Sequence, residues 1–569
     1  MIRACRQLGV TAIAVFSEAD AGARHVRLAD EALPLAGRTA GESYLDGAQL
    51  VAAVQRSGAE AVHPGYGFLS EDGAFARAVA EAGAVFVGPP AAAIEMMGDK
   101  LSARLAAEKA GVAVVPGTTV ALDDAADVVA AGEALGWPVA IKAAYGGGGR
   151  GIRVVASPAE ARDAFAGAAS EAAQGFGHAE CYVERYLAWP RHIEMQVFAD
   201  AAGRCVWLGE RECSIQRRHQ KLIEEAPAPG LPDDVRRAMG EAAVRVAEVA
   251  GYVGAGTVEF LYETGDAPGP GQDGRFWFLE MNTRLQVEHP ITEMVLGLDL
   301  VAEQIRVAAG APLPFTQDEV IGRRRGHAVE CRINAEDPAG GRFIPSPGTI
   351  TALAPPEGPG VRWDGGYEAG DDVPPFYDNL VGKLAVWAPD RPAALARMAA
   401  ALGEFRLEGV PTTIPAHRAV LAHPDFQAAR HSTVWLEQRL SLPETAGAAP
   451  APPGRTQEVR VGRRWYSVPL PGVESRPPAR RDDGAAAGPE PASGTVASPM
   501  QGTVVRVLVG VGDAVEAGQG VCAVEAMKME TVLPSGITGT VSEVRIGPGQ
   551  AVRAGEPLVL VEPFVVEPA

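Results

Sequence analysis

Short apolar runs alternate with alanine-rich amphipathic stretches from the first residue to about Pro290. VTAIAVF, AVFVG and PVAIKA read as buried strands, whereas EDGAFARAVAEAG spaces its apolar positions at helical intervals. This alternation argues for an α/β architecture. The opening IRACRQLG reads as a helix end feeding the buried strand VTAIAVF. From about Pro443 the pattern gives way to TAGAAPAPPG and later to ESRPPARRDDGAAAGPEPASG, stretches too poor in apolar surface to fold, which are predicted to be tethers. TQEVRVGRRWYSVPLP, between them, reads as a small hairpin. Beyond Gly494 the chain is strands and glycine turns. There GTVVRVLVGVGDAVEAGQGVCAVE, from Gly502, aligns without gaps on GTVSEVRIGPGQAVRAGEPLVLVE, from Gly539, with roughly half the positions identical. Such a duplication predicts a small β-sandwich with quasi-twofold symmetry. The connection between the copies holds EAMKME, which places Lys528 at a hairpin tip facing solvent.

Composition narrows the function classes. The 569 residues suffice for several domains with large cores, and a formal charge of −20 with a pI near 5.1 argues against nucleic acid or an anionic membrane as main partner. The six cysteines are scattered with no CxxC pair, which reads as reduced thiols in a cytoplasmic protein. No apolar run reaches membrane-spanning length.

The candidate chemistry lies in three stretches. KAAYGGGGRGIRVV places Gly146, Gly148 and Gly151 at GxGxxG spacing, but IRVV reads as a strand where a dinucleotide fingerprint needs a helix. A hairpin flap whose backbone N–H groups close on phosphates suits the run better, and no P-loop pattern occurs. AGTVEFLYE and RFWFLEMN, joined by TGDAPGPGQDG, are predicted to pair as an antiparallel hairpin with Glu259 and Glu280 on one face. Opposed carboxylates call for a cation, and Asn282 adds a third oxygen donor. NTRLQVEHP follows, with Arg284, Gln286 and Glu288 expected to alternate along a strand that ends at His289 and Pro290, an anion clamp beside a base. ERECSIQRRHQKLIEEAPAP adds Gln216, His219 and Lys221, a basic cluster in an acidic chain.

Two family resemblances organise these residues. Ala497 to Glu562 resembles the biotinyl (biotin carboxyl carrier) domain, whose A-M-K-M motif stands here as Ala526-Met527-Lys528-Met529. The resemblance implies biotin in amide linkage to Lys528; a lipoyl domain shares the fold but usually carries D-K-A there. HPGYGFLSE, MGDK, the glycine flap, RHIEMQVFAD, CSIQRRHQK, FLEMNTRLQVEHP, GHAVECRINAEDP and FYDNLVGK resemble biotin carboxylase, an ATP-grasp ligase, from almost residue 1 to about 442. The implied division is a Rossmann-like N-terminal domain over 1–98, an ATP-grasp domain over 99–308 with a lid at about 114–185, a C-terminal domain over 309–442, a linker over 443–493 and an all-β biotinyl domain over 494–565.

The resemblance also implies roles. ATP is expected at Lys100, Lys142, Gly148, Gly149, Glu184, Arg185, Tyr186, Leu187, His192, Gln216 and His219; position 185 is often lysine in relatives. Mg²⁺ or Mn²⁺ is expected on Glu259, Glu280 and Asn282, and bicarbonate against Lys221, Arg284, Gln286 and Val287 with Glu288 as general base. Arg332 would stabilise the enolate form of biotin, and Tyr66 would wall the pocket. The implied activity is ATP- and bicarbonate-dependent carboxylation of biotin through carboxyphosphate, feeding a separate carboxyltransferase β subunit in a hetero-oligomer that acts on acetyl-CoA or propionyl-CoA. Biotin would come from a biotin protein ligase. A methylcrotonyl-CoA carboxylase α subunit, a carrier with an impaired ligase half, and an ATP-grasp ligase with a lipoyl-type arm are the alternatives. Relatives begin with a buried strand and an N-R-G-E-I-A segment ahead of the stretch matching MIRACRQLG, so a start codon assigned too late is expected.

Overall fold

The computed structural model describes residues 1–144, 152–176, 178–263, 274–444, 456–461, 464–469, 494–500, 502–526, 529–553 and 555–564. Its central element is an eight-stranded antiparallel sheet, ordered Arg275–Asn282, Gly254–Glu263, Arg191–Ala199, Cys205–Arg217, Gln220–Ala226, His327–Asn334, Leu380–Ala388 and Val361–Gly365. Period-two alternation sorts its side chains. In Arg191–Ala199, Ile193, Met195 and Val197 enter one core together with Met239, Ala243 and Val246 of the helix Asp233–Val249. His192, Glu194 and Gln196, the alternate positions, are buried on the opposite face. His327–Asn334 repeats the device: Val329, Cys331 and Ile333 pack with Met398 and Leu402 of the helix Arg391–Glu404, leaving Glu330, Arg332 and Asn334 for the other side. One sheet face is thus an apolar core, and the other carries a buried polar layer.

Smaller units surround this sheet. Val139–Ala143 pairs antiparallel with both Arg153–Val155 and Cys181–Arg185, and the helices Ala125–Leu135 and Ala161–Phe176 close a separate core over Val139, Ile141 and Val155. The glycine flap, with Gly146, Gly148, Gly149 and Gly151, lies outside the described residues, as do residues 264–273 of TGDAPGPGQDG; the strands flanking the flap form the predicted antiparallel pair. At the N-terminus Ile13–Phe16 runs parallel to Glu31–Pro34, and Ala61–Val62 parallel to Val85–Phe86, as two separate two-stranded sheets. The expected buried strand at VTAIAVF is corrected here. Ile13–Phe16 is only half-buried throughout, because among the described residues it is paired along one edge.

TQEVRVGRRWYSVPLP forms the antiparallel pair Thr456–Val461 and Arg464–Pro469. The C-terminal unit is two four-stranded sheets around Val504, Val515, Val524, Val541, Val552 and Val559. Its copies interlock: Ala514–Val515 of the first pairs with Gly539–Val544 of the second, and Ala551–Val552 of the second with Gly502–Val507 of the first. No helix among the described residues is long and apolar enough to cross a membrane, and all six cysteines are free thiols.

Glu225 ties the helix Arg391–Glu404 to the sheet. Its carboxylate accepts from Arg391 Nε at 2.6 Å and Nη2 at 2.9 Å and lies 2.8 Å from His327 Nε2. Burial alone would raise its pKa, but the hydrogen bonds from His327 and Arg391 outweigh burial and lower it from 4.5 to about 2. A depressed carboxyl pKa stabilises the fold above the unfolded value and loses that contribution as pH falls through the folded one. Glu225→Gln should therefore cost about 3 kcal/mol near neutrality, and denaturant midpoints of the two proteins should converge between about pH 5 and pH 2.

Candidate active site

The polar face of the central sheet gathers around one ammonium group. Lys221 Nζ donates to Glu194 Oε2 at 2.5 Å, to Glu288 Oε1 at 2.7 Å and to Glu259 Oε1 at 2.9 Å, so its three hydrogens meet three buried carboxylates. Glu259 and Glu280 are direct cross-strand partners, as the predicted hairpin requires. Gln286 Nε2 bridges Glu259 Oε1 at 2.9 Å and Asn282 Oδ1 at 2.6 Å. Beneath them lies Arg211, wholly buried. Its guanidinium donates to Glu194 (2.5 Å), Gln196 (2.8 Å), Thr292 (2.9 Å), Thr257 (3.2 Å) and Gln286 Oε1 (2.6 Å), one acceptor for each of its five N–H groups. By accepting from Arg211, the Gln286 carbonyl oxygen is fixed and its amide nitrogen turns toward Glu259.

The electrostatics follow from where these cations reach. Burial would raise every carboxyl pKa, but Lys221, first among the cations, holds Glu194 and Glu259 well below the ordinary range and Glu288 at about 2. Burial would likewise lower Lys221, yet its three carboxylates raise it instead. His192 Nε2 lies 3.2 Å from Glu259 Oε2; burial opposes its charge, but Glu259 more than compensates and its pKa rises to about 9. Glu280 is the exception. Burial and the facing Glu259 raise its pKa, and its hydrogen-bond partner is the neutral Asn282 amide at 3.4 Å. This carboxyl pair, short of positive charge on the Glu280 side and rich in oxygen, fits a hard divalent cation. His192, Glu194 and Glu259 also offer ligand atoms within 4.8 Å of one another, but there the Lys221 ammonium and the His192 ring already supply positive charge, which the Glu280 side lacks.

A second cationic group adjoins the first. Arg332 donates through Nη2 to Glu288 Oε2 at 2.9 Å and through Nε to Glu224 Oε1 at 2.6 Å. Lys383 Nζ donates to the Val287 carbonyl at 2.6 Å and stands over the Tyr66 ring. Arg284 pairs with Glu71 at 3.0 Å and donates to Asn282 Oδ1 at 3.2 Å. The expected strand through Arg284, Gln286 and Glu288 is corrected: Asn282 ends the strand, residues 283–288 are irregular, and His289 and Pro290 open the helix His289–Leu296. Proline suits a first helical turn, where its missing N–H costs nothing. Gln286 and Glu288 are buried by hydrogen bonds to Arg211, Lys221 and Arg332 rather than by a ladder.

On the far side Glu184 takes ion pairs from Lys142 and Arg104, Arg185 pairs with Glu263 at 2.8 Å, and Leu187 is buried. The hairpin joining Cys205–Arg217 to Gln220–Ala226 turns through Arg218 and His219 with φ of 47° and 64°. Two successive left-handed residues are the geometry that Asn-Gly ordinarily fills, so this turn stores backbone strain beside the cleft. One cavity of about 2000 Å³ is lined by every predicted site residue among those described, from Tyr66 and Lys100 through Tyr186, Gln216 and His219 to Arg332. Gly148, Gly149 and Lys528 lie outside the described residues; the strands Gly520–Ala526 and Met529–Pro534 flank Lys528, with Ala526 paired to Met529.

Sequence reasoning missed Glu71, Glu194, Arg211, Glu224 and Lys383. Charged residues alternating inside the apolar run RHIEMQVFAD were the available signal for Glu194. Arg211→Met should leave a buried Glu194 short of a cation and cost about 3–5 kcal/mol, read as a lowered denaturant midpoint.

The sequence matches four family descriptions: the biotin carboxylase N-terminal domain over residues 1–94, the carbamoyl-phosphate synthase L chain ATP-binding domain over 99–316, the biotin carboxylase C-terminal domain over 330–438, and the biotin-requiring enzyme domain over 494–561. The chain is 44% identical over 561 residues to the biotin-dependent acyl-coenzyme A carboxylase alpha3 subunit of Mycobacterium leprae, covering 93% of this chain and 91% of that one. It is 37% identical to the propionyl-CoA carboxylase alpha chain of Ruegeria pomeroyi, covering 94% and 93%. A solved biotin carboxylase domain dimer of 2-oxoglutarate carboxylase from Hydrogenobacter thermophilus, in complex with MgADP, ADP and bicarbonate, superposes with a TM-score of 0.73 at 43% identity, covering 77% of this chain and 94% of that chain. With relatives matched over nearly their whole length, the chain belongs to the biotin-dependent acyl-coenzyme A carboxylase α subunits.

Proposed function

We propose that this chain joins bicarbonate to biotin at the expense of ATP, and that the carboxyl group then passes to a short acyl-CoA on a separate carboxyltransferase β subunit. The observation that carries this reading is the Lys221 ammonium set among Glu194, Glu259 and Glu288 with Arg332 alongside, in one cleft with the nucleotide-side residues. Bicarbonate would sit in the cleft that Lys221 and Arg284 both line, its oxygens taking a share of their hydrogen bonds from the carboxylates they now face. Lys221 and Arg332 keep Glu288 ionised at neutral pH, and its carboxylate would take the bicarbonate proton as bound bicarbonate draws those cations away from it. The freed oxygen attacks the γ-phosphorus, the bond from that phosphorus to the bridging oxygen breaks, and ADP leaves carboxyphosphate behind. Cleavage of its carbon–oxygen bond to phosphate then yields CO₂ and phosphate.

The chain's own groups order these events. Lys100, Lys142 and His192 line the nucleotide side and meet phosphate charge, and Glu184 to Leu187 supply the adenine edge. Glu259, Glu280 and Asn282 would hold Mg²⁺, which when bound supplies the charge that screens the phosphate oxygens. Biotin, when carried on Lys528, would supply a ureido nitrogen able to take up CO₂ once its proton has passed to the released phosphate. Arg332 remains charged, since Glu224 and Glu288 offset its burial, and is placed to hold the ureido oxygen. The lid unit has its own core around Val139 and Ile141, and its closure over the cleft would exclude water.

Relatives named for acyl-coenzyme A and propionyl-CoA carboxylation support an acyl-CoA as final acceptor, and we take acetyl-CoA or propionyl-CoA as the acceptor to test first. A biotin protein ligase would load Lys528, and a cytoplasmic hetero-oligomer with the β subunit would complete the reaction. Incorporation of ¹⁴C from bicarbonate, first into free biotin with ATP and then across a panel of acyl-CoA acceptors with the partner subunit, tests the whole reading; no ATP-dependent labelling of biotin would refute it. Glu288→Gln should reduce bicarbonate-dependent ATP cleavage by about 10²–10³-fold while ATP binding, followed by equilibrium dialysis, stays near the native value. Lys528→Ala should abolish the streptavidin blot signal and leave turnover of free biotin intact.

A further inference from the structure

Met500 is only 3% exposed, although it belongs to the C-terminal unit and takes no part in that unit's core. It packs instead with Ala335, Ile350, Val373, Val381 and Val410 of the ligase half. Trp363 and Tyr367 border this cluster and also line the large cavity. The internal duplication supplies a control. Ser498 Oγ donates to the Met500 carbonyl at 2.6 Å, and Ser535 Oγ donates to the Ile537 carbonyl at 2.6 Å, so the same turn occurs in both copies. Ile537 packs on the carrier's own core, whereas Met500 leaves home.

Met500 also sits at the functional end of the carrier. Gly502, two residues later, approaches the Glu525 carbonyl so closely that a Cβ would come within 2.5 Å of it, and Thr503 pairs with Glu525. Glu525 is three residues ahead of Lys528 in the sequence. We infer that Met500 is the anchor through which the carrier seats its lysine-bearing end on the rim of the ligase cleft, in an apolar pocket built from Ala335, Ile350, Val373, Val381 and Val410. An unbranched thioether suits the task, because it fills an irregular pocket without demanding one rotamer. A single apolar anchor is also weak enough to release the arm for its next site. The role assigned to this seat rests on the carboxylase reading above, but the seat itself does not.

The test uses the full chain carrying biotin on Lys528. Met500→Ser should slow transfer of ¹⁴C from bicarbonate to the carrier by about tenfold or more, the effect of losing one buried apolar side chain. Met500→Leu should stay within about twofold of native, as a volume-conserving change. Turnover of free biotin, which needs no carrier, should match in all three proteins. Native-rate carrier labelling by Met500→Ser would overturn the inference. A photo-cross-linking residue, Met500→p-benzoylphenylalanine, gives a second reading that does not depend on activity. Links to peptides containing Val373 or Val410 are expected, and links confined to the carrier would overturn the seat. A native chain inert toward free biotin would refute the carboxylase reading instead, and the cross-link would still decide the docking.

Discussion

A single ammonium held against three buried carboxylates is the constraint on which the site depends. Removing Glu194, Glu259 and Glu288 from water without Lys221 would leave three anions in a low-dielectric cleft, a cost of several kcal/mol each. Arg211 relieves Glu194 from below and Arg332 relieves Glu288 from the side. Where cations are short, the carboxyl pKa rises instead. Glu280 rises beside Glu259, and Glu224 reaches about 7 through burial despite its bond to Arg332, with Glu288 adding repulsion. The same balance divides the cleft, with carboxyls short of positive charge around Glu280 and a concentration of cations around Glu288.

Local alternation made much of this legible in the sequence. AGTVEFLYE and RFWFLEMN pair in the register that sets Glu259 against Glu280, because period-two patterning fixes which side chains share a face. The duplicated C-terminal segment gave its interlocked sandwich for a related reason, since valines repeating at equivalent positions of both copies had to share a core. Alternation misled at Arg284, Gln286 and Glu288, where two-residue spacing arises in an irregular segment ahead of a helix and tertiary hydrogen bonds decide orientation. It was also silent on Arg211. That residue pairs with Glu194, Thr257, Gln286 and Thr292 across separate elements, and a linear pattern holds no record of which strands become neighbours. The half-buried Ile13–Phe16 failed through edge pairing, which hydrophobicity alone does not reveal.

The single sheet explains why the chemistry is shared between regions that look separable along the chain. Gln220–Ala226 pairs with His327–Asn334, setting Glu224 opposite Glu330 across a ladder that joins the central region to the C-terminal one. Arg332 and Lys383 are neighbours in the next ladder, and from there they reach Glu288 and the Val287 carbonyl. Glu194, Lys221, Glu224, Glu259, Arg332 and Lys383 are therefore positioned by one continuous set of backbone hydrogen bonds. Shifting any of these strands by one residue would turn its charged row into the apolar core, so the register that builds the core also aims the buried polar groups into the cleft. Stability and chemistry in this protein are set by the same alternation, and no strand of the polar layer can be adjusted for one without disturbing the other.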